Sequence, residues 1–299
     1  MTPWRPGPLS ECGALEEVVV APARHAFVDR ARVSREWRSL NFTAEPDLDL
    51  AFREYDAFLD VLQATGATIR TLDPSPLVTM DAIYARDASV LVPDGIVLCA
   101  MGKPARAGEP VAQGLAFERW GLPVVGRIEP PGRLEGGDLL WLDPGTVAVG
   151  EGYRTNAHGI GQFASFLPAS VECLRVPLVH WRGPADVFHL MSLVSPVDRD
   201  LLVVYSPLLP VPFRDRLLAM GYALVEVDAD EFESMGTNVL ALGPRRVLML
   251  DGNPVTRRRL EAAGAEVLVY AGSEISVKGG GGPTCLTRPL RRRAIASGR

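Results

Sequence analysis

The chain has 299 residues, of which 47% are hydrophobic and 22% charged, which is typical of a globular protein. Its formal net charge of −5 offers no broad basic surface for nucleic acid. The sequence contains neither an apolar run long enough to span a membrane nor an N-terminal segment of signal-peptide type, so a cytoplasmic protein is expected.

The four cysteines are far apart in the sequence, which favours free thiols in a reducing compartment. Cys12, Cys99, Cys173 and Cys285 form no Cys-x-x-Cys pair, and the chain is too large to need disulfides for stability. Together with four scattered histidines they show no ligand spacing for zinc. We therefore expect no metal site.

The predicted elements repeat a helix–strand–hairpin unit. A first strand over residues 15–21 precedes residues 22–46, which have no clear period and are interpreted as a long loop and possible lid. Helices are predicted over residues 47–65, 106–120, 155–166, 213–220 and 254–263. Strands are predicted over residues 67–72, 88–92, 95–100, 123–128, 138–142, 146–150, 171–176, 186–194, 200–205, 223–227, 238–242, 247–251, 266–270 and 284–287.

About five such units, at a spacing of ~50–60 residues, indicate a circular or stacked repeat array with a central channel. The hairpins require antiparallel pairs, which disfavours a single doubly wound sheet. No linker divides residues 1–299, so one catalytic domain is expected, with a short N-terminal tail over residues 1–14. The arginine-rich end, residues 290–299, is predicted to be a solvated tail, as are the side chains of Arg288 and Arg291 to Arg293.

Residues 278–287 read Lys-Gly-Gly-Gly-Gly-Pro-Thr-Cys-Leu-Thr. Four successive glycines remove every side chain from one piece of backbone and let it approach a ligand closely. The pattern indicates that Cys285 lies at the lip of a cleft, at the start of a strand. Composition by itself favours the alternative, a flexible turn followed by a buried cysteine.

Three further segments combine acids or an imidazole with glycine or apolar neighbours. Residues 81–87 (Asp-Ala-Ile-Tyr-Ala-Arg-Asp) place two carboxylates around a short apolar strand, and residues 134–138 (Leu-Glu-Gly-Gly-Asp) place two beside bare backbone. Residues 186–192 (Asp-Val-Phe-His-Leu-Met-Ser) contain a histidine in an apolar strand. Each has a structural alternative, since acid-Gly-Gly-acid is typical of a turn and a lone histidine is typical of a core.

In their order along the chain these motifs resemble the guanidine-modifying (pentein) superfamily, and within it most nearly the dimethylargininase family. The order is Asp-x5-Asp, Glu-Gly-Gly-Asp, Gly-x-Arg-Thr-Asn, Phe-His-Leu-x-Ser and Gly-Gly-Gly-x-x-Cys. The resemblance extends over nearly the whole chain. It implies an α/β fold, a five-bladed propeller of pseudo-repeats with the site in the central channel, which agrees with the repeat count.

The resemblance also implies catalytic roles. Cys285 is the nucleophile that attacks the guanidinium carbon, because a thiolate is a strong nucleophile. His189 protonates the departing amine and then activates water, while Glu135 orients it. Asp81 and Asp87 bind the guanidinium nitrogens through charge-assisted hydrogen bonds. The intermediate is an S-alkylthiouronium on the cysteine, which water hydrolyses to a ureido product without any metal or organic cofactor.

Further substrate contacts are implied by the same resemblance. Arg154 is expected to bind the α-carboxylate of the substrate, Arg106 to be its second contact, and Asp138 to contribute to substrate binding. For both arginines the alternative is a solvated side chain at the start of a helix. Residues 22–40 fall where the family has a mobile loop, so substrate contacts are considered for Arg24, His25 and Asn41.

Two positions bear on the choice of substrate. Arginine deiminases and amidinotransferases of the superfamily have an acid two residues after the histidine, whereas Met191 stands there, which favours an alkylated guanidinium. The segment Gly-Gly-Gly-Gly-Pro-Thr-Cys-Leu-Thr-Arg-Pro is more typical of deiminases, and Arg86 replaces an acid frequent in dimethylargininases.

The first hypothesis is therefore hydrolysis of an Nω-methylated arginine to citrulline plus a methylamine. The second is an arginine deiminase, dihydrolase or amidinotransferase, and the third a non-catalytic pentein that binds a macromolecule. The expected partner is a small guanidino substrate, and a homodimer is left open.

Overall fold

Five three-stranded sheets make up the fold in the computed structural model, which describes residues 4–7, 9–183 and 188–295. In every sheet the central strand pairs antiparallel with one neighbour and parallel with the other. The five sheets are the blades of an α/β propeller, as the repeat count predicts.

Four blades contain a hairpin followed by a crossover to a parallel strand, and in the first blade the first and last strands of the chain form the antiparallel pair in place of a hairpin. The first blade comprises β1 (Leu15–Val20), β2 (Thr68–Thr71) and the last strand, β15 (Thr287–Arg292). The other blades are β3 (Ser89–Val92), β4 (Gly95–Leu98) and β5 (Val124–Arg127); β6 (Leu139–Asp143), β7 (Thr146–Glu151) and β8 (Glu172–Pro177); β9 (Val194–Asp198), β10 (Leu201–Val204) and β11 (Ala223–Glu226); and β12 (Val239–Gly243), β13 (Arg246–Leu250) and β14 (Glu266–Tyr270).

Helices occupy most of the crossovers. They are α1 (Ala23–Ala26), α2 (Arg30–Glu36), α3 (Leu48–Gln63), α4 (Glu109–Arg119), α5 (Ala157–Ala164), α6 (Val211–Ala219), α7 (Ala229–Phe232) and α8 (Pro254–Ala262). Side-chain caps fix the start of three of them: Asp29 accepts a hydrogen bond from the backbone of Arg32, Asp47 one from that of Leu50, and Asn156 one from that of Gly159. None of the helices in the described ranges is long and apolar enough to cross a membrane.

The first two strands of the sheets are largely buried on both faces, as β12 shows, whereas third strands such as β2 and β5 are more exposed. Val239 and Ala241 of β12 lie in one apolar cluster, whereas Leu240 and Leu242, which point the opposite way, lie in another. Because neither face of the strand contacts water, its sequence reads as a continuous apolar run and not as an alternation.

The ring is closed by the two ends of the chain. β1 pairs antiparallel with β15, so that Val20 lies opposite Thr287 and Val18 opposite Pro289. The first blade therefore combines strands almost 270 residues apart, and the segment just before β15, which contains Cys285, is held next to segments from the N-terminal half.

Closure corrects the prediction of solvated tails. Arg288 and Arg292 are only 3% and 4% exposed because they lie in β15, whereas Arg293 remains exposed. At the other end Cys12 is buried in the core, within residues assigned to the N-terminal tail. The predictions were wrong because the charge of a strand at the chain end was taken as evidence of exposure.

Three other boundaries differ from those predicted. Residues 22–46 contain helices α1 and α2 and are not one long loop. The strand predicted over residues 186–194 is replaced in its described part by a 3-10 turn, Leu190–Ser192, before β9, while residues 184–187 lie outside the described ranges. Residues 284–286 form a turn, and the strand begins at Thr287.

The glycine run approaches other protein groups closely. A Cβ added at Gly281 would overlap the ring of Tyr84, one at Gly279 would overlap its hydroxyl, and one at Gly282 would lie 2.6 Å from Asn238. Gly280 adopts a φ of +73°, in the left-handed region that favours glycine. The missing side chains thus allow the cysteine-bearing turn to lie directly against Tyr84 and Asn238.

We expect Gly281→Ala to lower the free energy of unfolding by about 1–3 kcal/mol, because Tyr84 or the backbone must shift to accept the methyl group. Gly161→Ala is the matched control. Gly161 lies in α5 with no atom within 4 Å of the added Cβ, so the change should stabilise the protein by about 0.5–1 kcal/mol. Denaturant unfolding measures both values, and an equal effect of the two substitutions would contradict the packing argument.

Candidate active site

The residues predicted to carry chemistry come from equivalent places in different blades. Asp87, Glu135, His189 and Cys285 each lie within a few residues before the first strand of a hairpin, namely β3, β6, β9 and β15. Asn238 lies in the same place before β12. Because the blades are related by a pseudo-fivefold repeat, these segments converge at one end of the ring.

His189 and Glu135 form the central pair. His189 Nε2 lies 2.7 Å from Glu135 Oε2, and the imidazole is 14% exposed while the carboxylate is fully buried. Burial would lower the pKa of His189, but the negative charges of Asp87 and Asp138 and the hydrogen bond with Glu135 raise it to about 9. At neutral pH this histidine is therefore an imidazolium, ready to donate a proton.

Glu135 accepts several hydrogen bonds besides that of His189. Arg154 Nη1 donates to both carboxylate oxygens, at 3.1 and 2.9 Å, and the backbone N–H of Gly102 donates to Oε1 at 2.8 Å. Burial would raise the pKa of Glu135, but the hydrogen bond and charge of His189 and the charge of Arg154 hold it below its usual range. The carboxylate thus stays ionised and fixes the orientation of the imidazole.

Asp87 lies on another side of the imidazole. Its Oδ1 accepts a hydrogen bond from the backbone of Gly137 at 3.0 Å, and a Cβ on Gly137 would lie 2.8 Å from both Asp87 Oδ1 and the ring of His189. Burial would raise the pKa of Asp87, but the charges of His189 and Arg106 lower it below its usual value. The Gly-Gly element therefore serves close packing between the acid and the imidazole.

Arg106 is engaged with protein groups on every side. Its Nη1 lies 2.6 Å from Asp87 Oδ2, its Nε and Nη2 form a bidentate pair with Glu109, and Nη2 also donates to the carbonyl of Tyr84. The side chain is buried, with 5% exposure. These contacts favour a role in positioning Asp87 and differ from the predicted second contact with a substrate carboxylate.

Asp138 likewise bonds to the protein. Thr155 Oγ1 donates to its Oδ2 at 2.6 Å, and the backbone N–H of Leu190 donates to its Oδ1 at 3.0 Å. Burial raises the pKa of Asp138 to about 6. Because Leu190 follows His189 directly, Asp138 holds the turn that carries the imidazole, and this geometry favours a positioning role over the predicted substrate contact.

Cys285 is the partly exposed thiol of the site. Asn238 Nδ2 donates to its Sγ at 3.4 Å, and Thr284 Oγ1 lies 3.9 Å from the same atom. Burial, followed by the charge of Asp87, raises the pKa of Cys285, and these hydrogen bonds offset the rise only in part. Without a bound ligand the group is therefore a neutral thiol at neutral pH.

Asp81 has a partner that the sequence analysis did not identify. Lys103 Nζ lies 2.6 Å from Asp81 Oδ2 and donates a second hydrogen bond, at 2.7 Å, to the carbonyl of Leu40 in the predicted lid segment. Both side chains are largely buried, at 15% and 5% exposure. The Lys103 ammonium group thus connects Asp81, which is predicted to bind the substrate, to the lid segment.

The three lid residues considered from sequence have different surroundings. Arg24 pairs with Asp56 at the surface, and His25 Nδ1 lies 2.8 Å from the carbonyl of Leu72. Asn41 adopts a φ of +68° directly after Leu40. Of the three, Asn41 is nearest in sequence to the carbonyl of Leu40, which accepts a hydrogen bond from Lys103 of the site.

The acid–histidine cluster has spacing that a metal ion could also use. Asp87, Glu135 and His189 offer ligand atoms that all lie within 4.8 Å of one another. Their lone pairs are engaged, however: Glu135 bonds to His189 and Arg154, and Asp87 pairs with Arg106. Because two guanidinium groups and the imidazole already pair with these acids, the arrangement fits acid–base chemistry better than metal binding.

Two functional candidates were missed in the sequence. Asn238 precedes β12 with no distinctive motif, and only its place in the repeat, equivalent to that of Cys285, could have indicated it. Lys103 follows Met-Gly in an unpatterned loop. It is one of only two lysines in a chain rich in arginine, which makes it unusual in composition, but the sequence does not indicate that it lies beside Asp81.

Sequence comparisons relate the chain to known proteins. A sequence model of the family described as Arginine deiminase matches residues 70–217 and 212–292. The chain is 31% identical over 248 residues to an N(G),N(G)-dimethylarginine dimethylaminohydrolase of Streptomyces coelicolor, which covers 82% of this chain and 88% of that protein. It is 29% identical over 256 residues to an arginine deiminase of Mycobacterium avium, covering 74% of this chain but only 61% of the longer relative.

The fold has solved counterparts. A structure of DDAH from Pseudomonas aeruginosa in complex with citrulline aligns with a TM-score of 0.71 over 92% of this chain and 98% of that chain, at 22% sequence identity. At this identity the likeness concerns the fold, and it agrees with the five blades described above.

We expect His189 to titrate at about pH 9 in an NMR pH titration, and Glu135→Gln to move its pKa downward, because the substitution removes a negative charge and weakens the hydrogen bond. The raised pKa stabilises the folded state below about pH 6.5, and this contribution is lost as the pH rises through about 9. His158, for which the structure gives no such acid partner, is the internal control. An unchanged pKa in Glu135→Gln would contradict the assigned pair.

Proposed function

The chain belongs to the arginine deiminase family, within the guanidine-modifying (pentein) superfamily, and is a guanidino carbon–nitrogen hydrolase; on this premise we propose that its substrate is an Nω-methylated L-arginine, which it converts to citrulline and a methylamine. The observation that carries the proposal is the buried Glu135–His189 pair, at 2.7 Å, in a site that also holds a partly exposed cysteine.

Cys285 is the nucleophile in this mechanism. Its raised pKa makes the resting group a thiol, so it must lose a proton before it attacks. A guanidinium bound beside it supplies the positive charge that lowers the thiol pKa, and the proton leaves to solvent. The thiolate then forms a bond to the guanidinium carbon, which becomes tetrahedral. Activation therefore depends on the substrate, and the free thiol stays protected.

His189 acts first as an acid and then as a base. With a pKa of about 9 it carries the proton that the departing methylamine requires, and the C–N bond breaks as this proton is transferred. The product on sulfur is an S-alkylthiouronium. The neutral imidazole, still held by Glu135, then removes a proton from water, which attacks the same carbon and releases the thiolate and a ureido group. Turnover by this route is lost as the pH rises through about 9.

The guanidinium is held by carboxylates that are already partly neutralised. Asp87 shares one oxygen with Arg106, and Asp81 shares one with Lys103, which leaves the second oxygen of Asp81 as an acceptor for a substrate N–H. Arg154 is the candidate for the substrate carboxylate. Only its Nη1 is used by Glu135, and the side chain is 17% exposed.

The methylated substrate is favoured by the group two residues after the histidine. Met191 is buried, and its sulfur lies 3.0 Å from Arg86 Nη2, so this position supplies no carboxylate to the site. An unsubstituted guanidinium has more N–H groups that need acceptors than a dimethylated one. Fewer acceptors therefore fit the alkylated substrate.

A second candidate is hydrolysis of unmethylated arginine to citrulline and ammonia. The Arginine deiminase family model extends over most of the chain, and the segment around Cys285, Gly-Gly-Gly-Gly-Pro-Thr-Cys-Leu-Thr-Arg-Pro, is typical of deiminases. The two candidates share the covalent mechanism and differ in the amine released.

The released amine distinguishes the candidates. We expect the protein to form citrulline and dimethylamine from asymmetric dimethylarginine, with a lower kcat/KM for arginine, and amine analysis by mass spectrometry measures both. Cys285→Ser should lose turnover by at least about 10³-fold, since the serine hydroxyl is not activated by the bound cation. Cys173→Ser, at a half-buried thiol in β8, is the matched control and should keep full activity. Ammonia from arginine as the faster product would favour the second candidate, and activity in Cys285→Ser would contradict the covalent mechanism.

The Lys103 ammonium must share Asp81 with the substrate. We expect Lys103→Met to lower KM for the guanidino substrate severalfold, because it frees a buried carboxylate for the substrate cation, with a smaller effect on kcat. Lys278→Met is the control. Lys278 also bonds to a carbonyl of the lid segment, that of Glu45, but its carboxylate partner is Glu274 and not Asp81. An equal fall in KM for both variants would assign the effect to the lid, and a rise for Lys103→Met would contradict competition at Asp81.

A further inference from the structure

A second cluster of buried charge lies where the two chain ends meet. A cavity of about 20 Å³ is lined by Glu11 from the N-terminal segment, Arg86, Trp141 of β6, and Arg288 and Arg292 of β15. None of the residues assigned above to catalysis or substrate binding lines it. The proposed function makes no use of this cavity.

Positive charge is in excess around the cavity. Three guanidinium groups, those of Arg86, Arg288 and Arg292, face a single carboxylate, and all three residues are at most 4% exposed. Glu11 pairs with Arg86 at 2.8 Å. Arg288 donates only to the carbonyl of Arg86, and Arg292 donates to two other backbone carbonyls. Within this group of three buried arginines and Glu11, two positive charges are thus left without a paired carboxylate; the fourth lining arginine, Arg291, pairs with Glu16.

Five N–H donors of the cluster also lack a partner. Arg86 Nε and Nη1, Arg292 Nε and Nη2, and Trp141 Nε1 are buried and have no acceptor among the residues that the structure describes. A buried donor without an acceptor is destabilising, and more so when it is charged. Several such groups around one cavity therefore point to an occupant that accepts hydrogen bonds.

The size and polarity of the cavity restrict that occupant. A volume of about 20 Å³ holds roughly one water-sized particle, which excludes phosphate, sulfate and carboxylates. A water molecule has two lone pairs and must also donate two hydrogen bonds. The unpaired groups here are donors, and the Glu11 oxygen on Arg86 is already engaged. A monatomic anion, which accepts from every direction and carries charge, fits better.

We propose that the cavity is a binding site for one chloride-sized halide ion, held by the free N–H groups of Arg86, Arg292 and Trp141. The low pKa of two of the arginines is consistent with the missing anion: burial and the charge of Arg86 lower the pKa of Arg288 to about 9, and burial lowers that of Arg292 to about 10. The bound ion supplies negative charge to the buried arginines where the two chain ends meet.

Through Arg86 the halide site borders the active site without being part of it. The backbone N–H of Arg86 donates to the carbonyl of Cys285 at 3.1 Å, and Asp87 is the next residue. Arg292 holds the N-terminal segment by its bond to the carbonyl of Gly13. An ion between Arg86 and Arg292 therefore joins the strand that closes the ring to the segment that carries the acid.

Thermal unfolding at constant ionic strength tests the proposal. With sodium gluconate replaced stepwise by sodium chloride, the midpoint of unfolding should rise by about 2–4 °C, because a ligand that binds only the folded state stabilises it by mass action. Crystals of the same protein soaked in sodium bromide should show an anomalous difference peak in this cavity. An unchanged midpoint, or a cavity without a bromide peak, would overturn the site.

Variants assign the ion to its donors. Trp141→Phe removes one N–H together with part of a buried ring, and the chloride-dependent shift, measured against the same variant in gluconate, should be reduced. Glu11→Gln removes the competing carboxylate and should lower the chloride concentration needed for half of the shift. Arg293→Met, at a 74% exposed side chain beside β15, is the matched control and should keep the full shift. A shift in Trp141→Phe equal to that of the unsubstituted protein would mean that chloride acts elsewhere. Cys285→Ser should keep the shift whichever substrate the enzyme takes, so this test stands apart from the proposed function.

Discussion

The antiparallel pairing of β1 with β15 is the constraint on which the rest of the structure depends. It closes five similar blades into a ring and fixes the turn that carries Cys285 against segments from the N-terminal half. The glycines before that cysteine let the turn contact Tyr84 and Asn238 without steric overlap. The proposed halide site lies at the same junction, where burying arginines of β15 creates a demand for negative charge. Closure thus determines both the position of Cys285 and the charge balance of the buried arginines behind it.

Three buried acids of the site are each paired with a specific cation. Glu135 is neutralised by His189 and Arg154, Asp87 by Arg106 and Asp81 by Lys103. The pairs of Glu135 and Asp87 hold the pKa of both carboxyl groups below their usual values in spite of burial, and nearby acids keep the imidazole protonated. The thiol differs, because burial and the charge of Asp87 raise its pKa. In the proposed mechanism a guanidinium substrate brings the positive charge that lowers it.

Several residues of the candidate site could be predicted because the order of the motifs is visible in the sequence alone. The sequence led to Cys285, His189 and Glu135, and the structure brings the last two into contact. Arg106 and Asp138 were predicted as substrate contacts, but their side chains bond to Asp87 and Glu109 and to Thr155 and Leu190. A motif identifies that a charged residue is needed near a site, but the direction of its side chain depends on neighbours far away in the chain. Lys103 and Asn238 were missed for the same reason.

The sequence by itself determined the repeat, the α/β class and the identity of the chemical groups, because hydrophobic periodicity, turn residues and motif order are local properties. Only the tertiary structure decided which residues are exposed and which charges are paired. Arg288 and Arg292 look like a solvated tail in the sequence, yet they are buried because their strand pairs with one almost 270 residues earlier. Burial and charge pairing are set by contacts between distant segments, and those contacts exist only once the ring has closed.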